Sequence, residues 1–189
     1  MSEYPVLGID PATDLKAVII SHLHHDHGDG LADVRDAPIY VSREHWHALA
    51  NPLQATAPRC CAVPQRWPHA FSPHLLEPTG GPLGPWERRY PVTSDGTVVA
   101  VDLPGHMAGH VSVVVRTPEA TYFLAGDATY DEELLKQRIV DGLSENIGVS
   151  LNTLDRIAAF ARSEPTVLLP AHDPLAEQRL AERITLTDD

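Results

Sequence analysis

The chain has 189 residues, the size of one ordinary core, and its 43% hydrophobic and 21% charged residues match a soluble globular protein rather than a disordered or membrane-embedded one. A formal net charge of −12 excludes a protein that grips a nucleic-acid backbone, which needs a positive footprint, and favours a small-molecule substrate. No run approaches the roughly eighteen apolar residues of a membrane span, and MSEYPVLGID lacks the basic and apolar regions of a secretory leader, so no membrane partner and a cytoplasmic location are expected. Its two cysteines, Cys60 and Cys61, are adjacent, which provides no disulfide framework.

In chain order, the run Val18-Ile19-Ile20-Ser21 predicts a strand covered on both faces, and Pro38-Ile39-Tyr40-Val41 a second. Ser42 is placed to cap a helix through residues 43–49. Residues 51–95 hold nine of the seventeen prolines together with Gly80-Gly81, Trp67, Phe71 and Trp86. Such a stretch predicts loops and short helices, a lid or pocket wall on a single domain spanning 1–189, with the three aromatic residues as candidate apolar walls. After the turn dipeptide Asp95-Gly96 come three β runs, 97–101, 110–116 and 121–125. Residues 150–163 follow helical spacing with Ser150 as the expected N-cap, 166–169 form a strand, and Asp173-Pro174 opens a last helix through Ile184. This mixture predicts an α/β layered fold.

The chemistry concentrates at strand ends. His22-Leu23-His24-His25-Asp26-His27 has the form H-x-H-x-D-H immediately after the first strand. Imidazole nitrogens and carboxylate oxygens are the donors that zinc and similar borderline ions take, and loops leaving rigid strands can hold them in place. Further on, His110 closes Pro104-Gly105-His106-Met107-Ala108-Gly109-His110, Asp127 follows Ala125-Gly126, and His172 follows Pro170-Ala171. The histidines 45, 47, 69 and 74 belong to no motif and are expected to be surface or pocket-lining, and His106 to be a turn residue or a support for a ligand.

Taken together, H-x-H-x-D-H, PGHxxGH, an aspartate after a strand and a histidine after another are similar to the metallo-β-lactamase-fold hydrolases. The resemblance implies an αβ/βα sandwich and a pair of divalent ions, with zinc as the default and iron, manganese or cobalt as alternatives. It implies His22, His24 and His110 at one ion, Asp26, His27 and His172 at the other, and Asp127 bridging them, with His25 left out. The sequence Asp127-Ala128-Thr129-Tyr130 further resembles the N-acyl-homoserine lactone hydrolases, whose tyrosine at this spacing donates a hydrogen bond to the lactone carbonyl. Asp26 is implied as the group that collects and returns a proton, and Tyr130 as a donor, since a phenol with an ordinary pKa of about 10 stays protonated at neutral pH.

Two other readings stay open. Glyoxalase-II-type thioesterases share the ligands, although the tail 174–189 carries only Arg179 and Arg183 as cations. A metal-binding domain with weak or no activity is the other, because the family normally places several strands before H-x-H-x-D-H and only 21 residues precede His22 here. The expectation is therefore an N-terminally shortened form of the fold, with sheet edges that a homo-oligomer would cover.

Overall fold

The computed structural model describes residues 14–34, 36–50 and 61–187. The leader reading of MSEYPVLGID and the position of Cys60 lie outside them. The described residues divide after Leu76 into two compact units.

The first unit carries a parallel three-stranded sheet in the order β1 (Val18–Ile19), β2 (Ile39–Ser42), β3 (His74–Leu76). Between β1 and β2 the chain makes the four-residue helix α1 (His25–Gly28) and a 3-10 turn, Asp29–Ala32. Helix α2 (Arg43–Ala50) starts where expected: Ser42 Oγ accepts the backbone N–H of His45 at 3.0 Å, satisfying one donor that the first helical turn leaves over. The core of this unit is Ile20, Leu23, Leu31, Ile39 and Val41, with Trp46, Trp67 and Phe71 packed against it. The Trp46 and Phe71 rings meet edge to face at 5.7 Å, the geometry their quadrupoles favour.

The second unit is a five-stranded sheet in sequence order: β4 (Tyr90–Pro91), β5 (Val98–Asp102), β6 (Val111–Arg116), β7 (Thr121–Gly126) and β8 (Thr166–Pro170). The first three pairings are antiparallel and β7 pairs with β8 in parallel. A parallel pair needs a crossover, and α3 (Glu132–Lys136) and α4 (Ile147–Ser163) supply it. Helix α4 lays Leu154, Ile157 and Phe160 on the same core as Val99, Val101, Leu103, Val114 and Phe123. Burying each such side chain contributes about 1.5–3 kcal/mol. The last helix, α5 (Ala176–Glu182), follows Asp173, whose Oδ1 accepts the Leu175 N–H at 2.8 Å. No helix among the described residues is long and apolar enough to cross a membrane.

Three expectations are corrected. The Pro-rich stretch contributes two short strands, β3 and β4, besides its 3-10 turn at Pro64–Arg66; their hydrogen-bond partners, β2 and β5, lie outside the stretch, so local composition conceals them. Helix α4 starts one turn earlier than Ser150: Asn146 is its cap, accepting the Val149 N–H at 3.1 Å. The first turn exposes Ile147 and Val149, at 63% and 37%, so the apolar stripe that marks a helix in sequence begins only afterwards. Trp86 is a core residue and no pocket wall: it is 1% exposed, its ring lies 5.7 Å from Phe123 and 5.5 Å from Phe160, and its Nε1–H donates to the Asp102 carbonyl at 2.8 Å.

Candidate metal centre

In the first unit the chain leaves β1 into the H-x-H-x-D-H motif. His22 and His24 are buried, with His22 Nε2 and His24 Nδ1 3.0 Å apart. The His27 ring lies 4.2 Å from that of His22, and Asp26, 41% exposed, stands 3.7 Å from His27 Nε2. His25 is exposed. Thus four of the expected ligands sit within one turn of chain, with the apolar Leu23 between them anchored in the unit's core.

What fixes this turn is a residue that belongs to no motif and was expected at the surface or lining a pocket. His45 is fully buried, and its Nε2 accepts the Leu23 backbone N–H at 2.8 Å. An imidazole nitrogen thus holds the backbone between His22 and His24, while the His45 N–H is itself fixed to Ser42. His47, His69 and His74 are exposed as expected. The spacing of His45 one turn into a capped helix was visible in the sequence; its reach to residue 23 is a tertiary contact with no local signature. A His45→Ala variant is expected to lose about 1–3 kcal/mol of unfolding free energy, the cost of leaving a buried donor without an acceptor, as urea denaturation followed by tryptophan fluorescence would show. An unchanged midpoint would mean that the contact does not hold the turn.

In the second unit the sheet topology gathers the remaining candidates at one edge. Because β6 runs antiparallel to β7 and β8 runs parallel to it, the start of β6 and the ends of β7 and β8 coincide, and these points carry His110, Asp127 and His172. A register shift between Leu124 and Gly126, with Gly126 at φ 55°, turns the chain out before Asp127. The Asp127 N–H donates to His110 Nε2 at 3.1 Å. The Asp127 carboxylate faces two imidazoles: His172 Nε2 is 3.2 Å from its Oδ2, and His106 Nε2 is 3.6 Å from the same atom. The Tyr130 ring lies 4.9 Å from that of His172. His172 is steadied through its neighbour Asp173, which binds the buried Arg179; Arg179 also pairs with Glu132 at 2.7 Å. That engagement leaves Arg179 committed to structure.

His106 is the second residue whose place sequence reading left open. It is buried, with Asp127 against one ring nitrogen and Asp141 3.5 Å from the other. Burial pushes the Asp141 carboxyl up, but hydrogen bonds from His106, Ser144 Oγ and the Leu143 N–H outweigh it and hold the group at about 2.

In both units the donor sets consist of imidazole nitrogens and carboxylate oxygens, mostly buried, with rings clustered within a few ångströms. They fit divalent ions of the zinc type. Within each unit candidate ligand atoms also lie close together: those of His22 and His24, of Asp26 and His27, of His106 and Asp127, and of Asp127 and His172 are within 4.8 Å of each other.

Comparison with known proteins follows the same lines. The family model described as metallo-beta-lactamase superfamily matches residues 10–173. The N-acyl homoserine lactonase AttM of Rhizobium radiobacter is 25% identical over 182 residues, covering 92% of this chain and 64% of that protein. A probable metallo-hydrolase of Mycobacterium tuberculosis, Rv2300c, is 30% identical over 129 residues, covering 67% of this chain and 41% of its own length. Among solved structures, an N-acyl homoserine lactone hydrolase with the product N-hexanoyl-L-homoserine at its catalytic metal centre matches with a TM-score of 0.67 and 25% identity, covering 91% of this chain and 61% of that one. The chain therefore spans less than two thirds of the length of these relatives.

Proposed function

The chain belongs to the metallo-β-lactamase superfamily, and on that premise we propose that it is a dinuclear-metal hydrolase that opens a lactone ring, with N-acyl-homoserine lactone as the first substrate to test. The observation that carries this reading is Tyr130, three residues beyond Asp127 in sequence and with its ring 4.9 Å from that of His172, which puts a phenol beside a candidate ligand. The lactonase names among the similar proteins support the substrate class.

By the likeness of its motifs to those of the superfamily, His22, His24 and His110 would hold one ion, Asp26, His27 and His172 the other, and Asp127 both. Divalent ions bound by such ligands supply Lewis acidity and acidify water. The chain's own groups do the rest. Tyr130 O–H donates to the carbonyl oxygen as charge builds on it, and Asp26 takes the proton released on attack and returns it to the leaving alkoxide. The partial exposure of Asp26, 41%, leaves it room for that exchange.

Metal analysis and a pH-stat assay on an acyl-homoserine lactone, a plain γ-lactone and a thioester test the reading together. Two ions and lactone turnover support it, thioester turnover alone replaces it with a thioesterase, and two ions without turnover sink it. The engagement of Arg179 by Glu132 and Asp173 argues against the thioesterase outcome, since that cation is not available for an anionic thiol carrier. Within the same assay, Tyr130→Phe is expected to keep its full metal content and lose about 10²–10³-fold in kcat, the usual effect of deleting one donor to a developing oxyanion. Metal loss in this variant would assign the tyrosine a structural role instead.

A further inference from the structure

We propose that His106 and Asp141 are positioning residues that set the orientation of the Asp127 carboxylate, an inference that rests on the reading of Asp127 as a metal ligand. Three side chains form a buried line: the Asp127, His106 and Asp141 side chains are 3%, 1% and 3% exposed. The imidazole stands between two carboxylates, with Nε2 3.6 Å from Asp127 Oδ2 and Nδ1 3.5 Å from Asp141 Oδ2. Whichever ring nitrogen bears hydrogen therefore faces a carboxylate. This is the relation in which a histidine or carboxylate behind a ligand fixes its direction and basicity.

The far end of the line is held more tightly than a loop residue requires. Asp141 accepts the Leu143 N–H and the Ser144 hydroxyl, each at 2.7 Å. The backbones on either side are tied as well: Glu145 N–H donates to the His106 carbonyl at 3.2 Å, Asn146 N–H to the Gly105 carbonyl at 3.1 Å, and Thr153 Oγ1 to the Pro104 carbonyl at 2.6 Å. Gly105, at φ 129°, passes so close to α4 that a Cβ there would lie 2.6 Å from the Ser150 backbone. The loop bearing His106 is thus tied to the loop bearing Asp141 by backbone hydrogen bonds. Asp141 lies fourteen residues from Asp127 and outside every motif, yet it ends the chain of contacts that starts there.

The test uses the whole chain, titrated with zinc in competition with a chromophoric chelator and, separately, with cobalt, whose absorption reports ligand geometry. Asp141→Asn is expected to bind zinc 10–100-fold more weakly than wild type, with an altered cobalt spectrum and the same two-ion stoichiometry at saturation. Ser144→Ala, which removes only one donor to Asp141, is expected to fall between them and serves if Asp141→Asn does not fold. Wild-type affinity and spectrum in both variants overturn the proposal. A saturating stoichiometry of one ion in His106→Gln also overturns it, because His106 would then be a ligand itself. A wild-type chain that takes up no zinc removes the functional reading and the positioning role with it, whereas unchanged variants of a zinc-binding chain remove the positioning role alone.

Discussion

An Asp127→Asn chain is expected to be purified with less than one equivalent of metal in place of two, as inductively coupled plasma mass spectrometry would read after dialysis against a weak chelator. The argument is electrostatic. Asparagine keeps the shape of the side chain and one acceptor oxygen but removes the negative charge, and the neighbours of that charge, His172 at 3.2 Å and His106 at 3.6 Å, are neutral or cationic groups that offer no replacement. The backbone contribution of the residue, its N–H to His110 Nε2, survives the change, so circular dichroism of the metal-free variant should match that of the metal-free wild type. A variant that keeps both ions would show that Asp127 does not bridge them and that its carboxylate serves His106 and His172 alone.

The largest stability effect is expected at Trp86. Trp86→Ala empties a site ringed by Phe123 and Phe160, removes the donor to the Asp102 carbonyl and leaves the Arg156 guanidinium, 5.1 Å from the ring centroid, without its aromatic face. Large-to-small changes of this kind cost about 3–5 kcal/mol, because the cavity term adds to the lost transfer energy. For a domain of this size that corresponds to a fall of roughly 6–20 °C in Tm, measurable by calorimetry. A loss below about 1 kcal/mol would return Trp86 to the wall of a pocket, where truncation changes substrate preference and leaves the fold intact. Trp67 and Phe71, only half-buried against the first unit's core, remain the aromatic residues to examine for acyl-chain selectivity, by comparing short- and long-chain lactones with Phe71→Ala.

How much was legible depended on whether the signal was local. Continuous apolar runs announced β2, β5, β6, β7 and β8 to within a residue or two, since an apolar run and the strand it forms occupy the same stretch of chain. Ser42 announced α2 because a cap and its helix are neighbours in sequence. Helix α3 was passed over: five residues are too few for a periodic stripe, although Asp131 caps it through the Leu134 N–H at 2.7 Å.

By itself the sequence determined the chemistry: which donor types the chain holds, that they follow strands, and that their spacing is that of the superfamily. Those facts are one-dimensional, because a ligand's identity and its place after an apolar run are both written locally. Only the tertiary structure showed what the histidines outside the first motif meet, since His45 reaches back 22 residues to Leu23 and His106 lies between Asp127 and Asp141. It likewise decided that Trp86 belongs to the core while Trp67 and Phe71 stay half-buried, because burial depends on what the rest of the chain places around a ring. Hydrogen bonds and packing between residues far apart in sequence leave no periodic trace, and they determine how the candidate ligands are held.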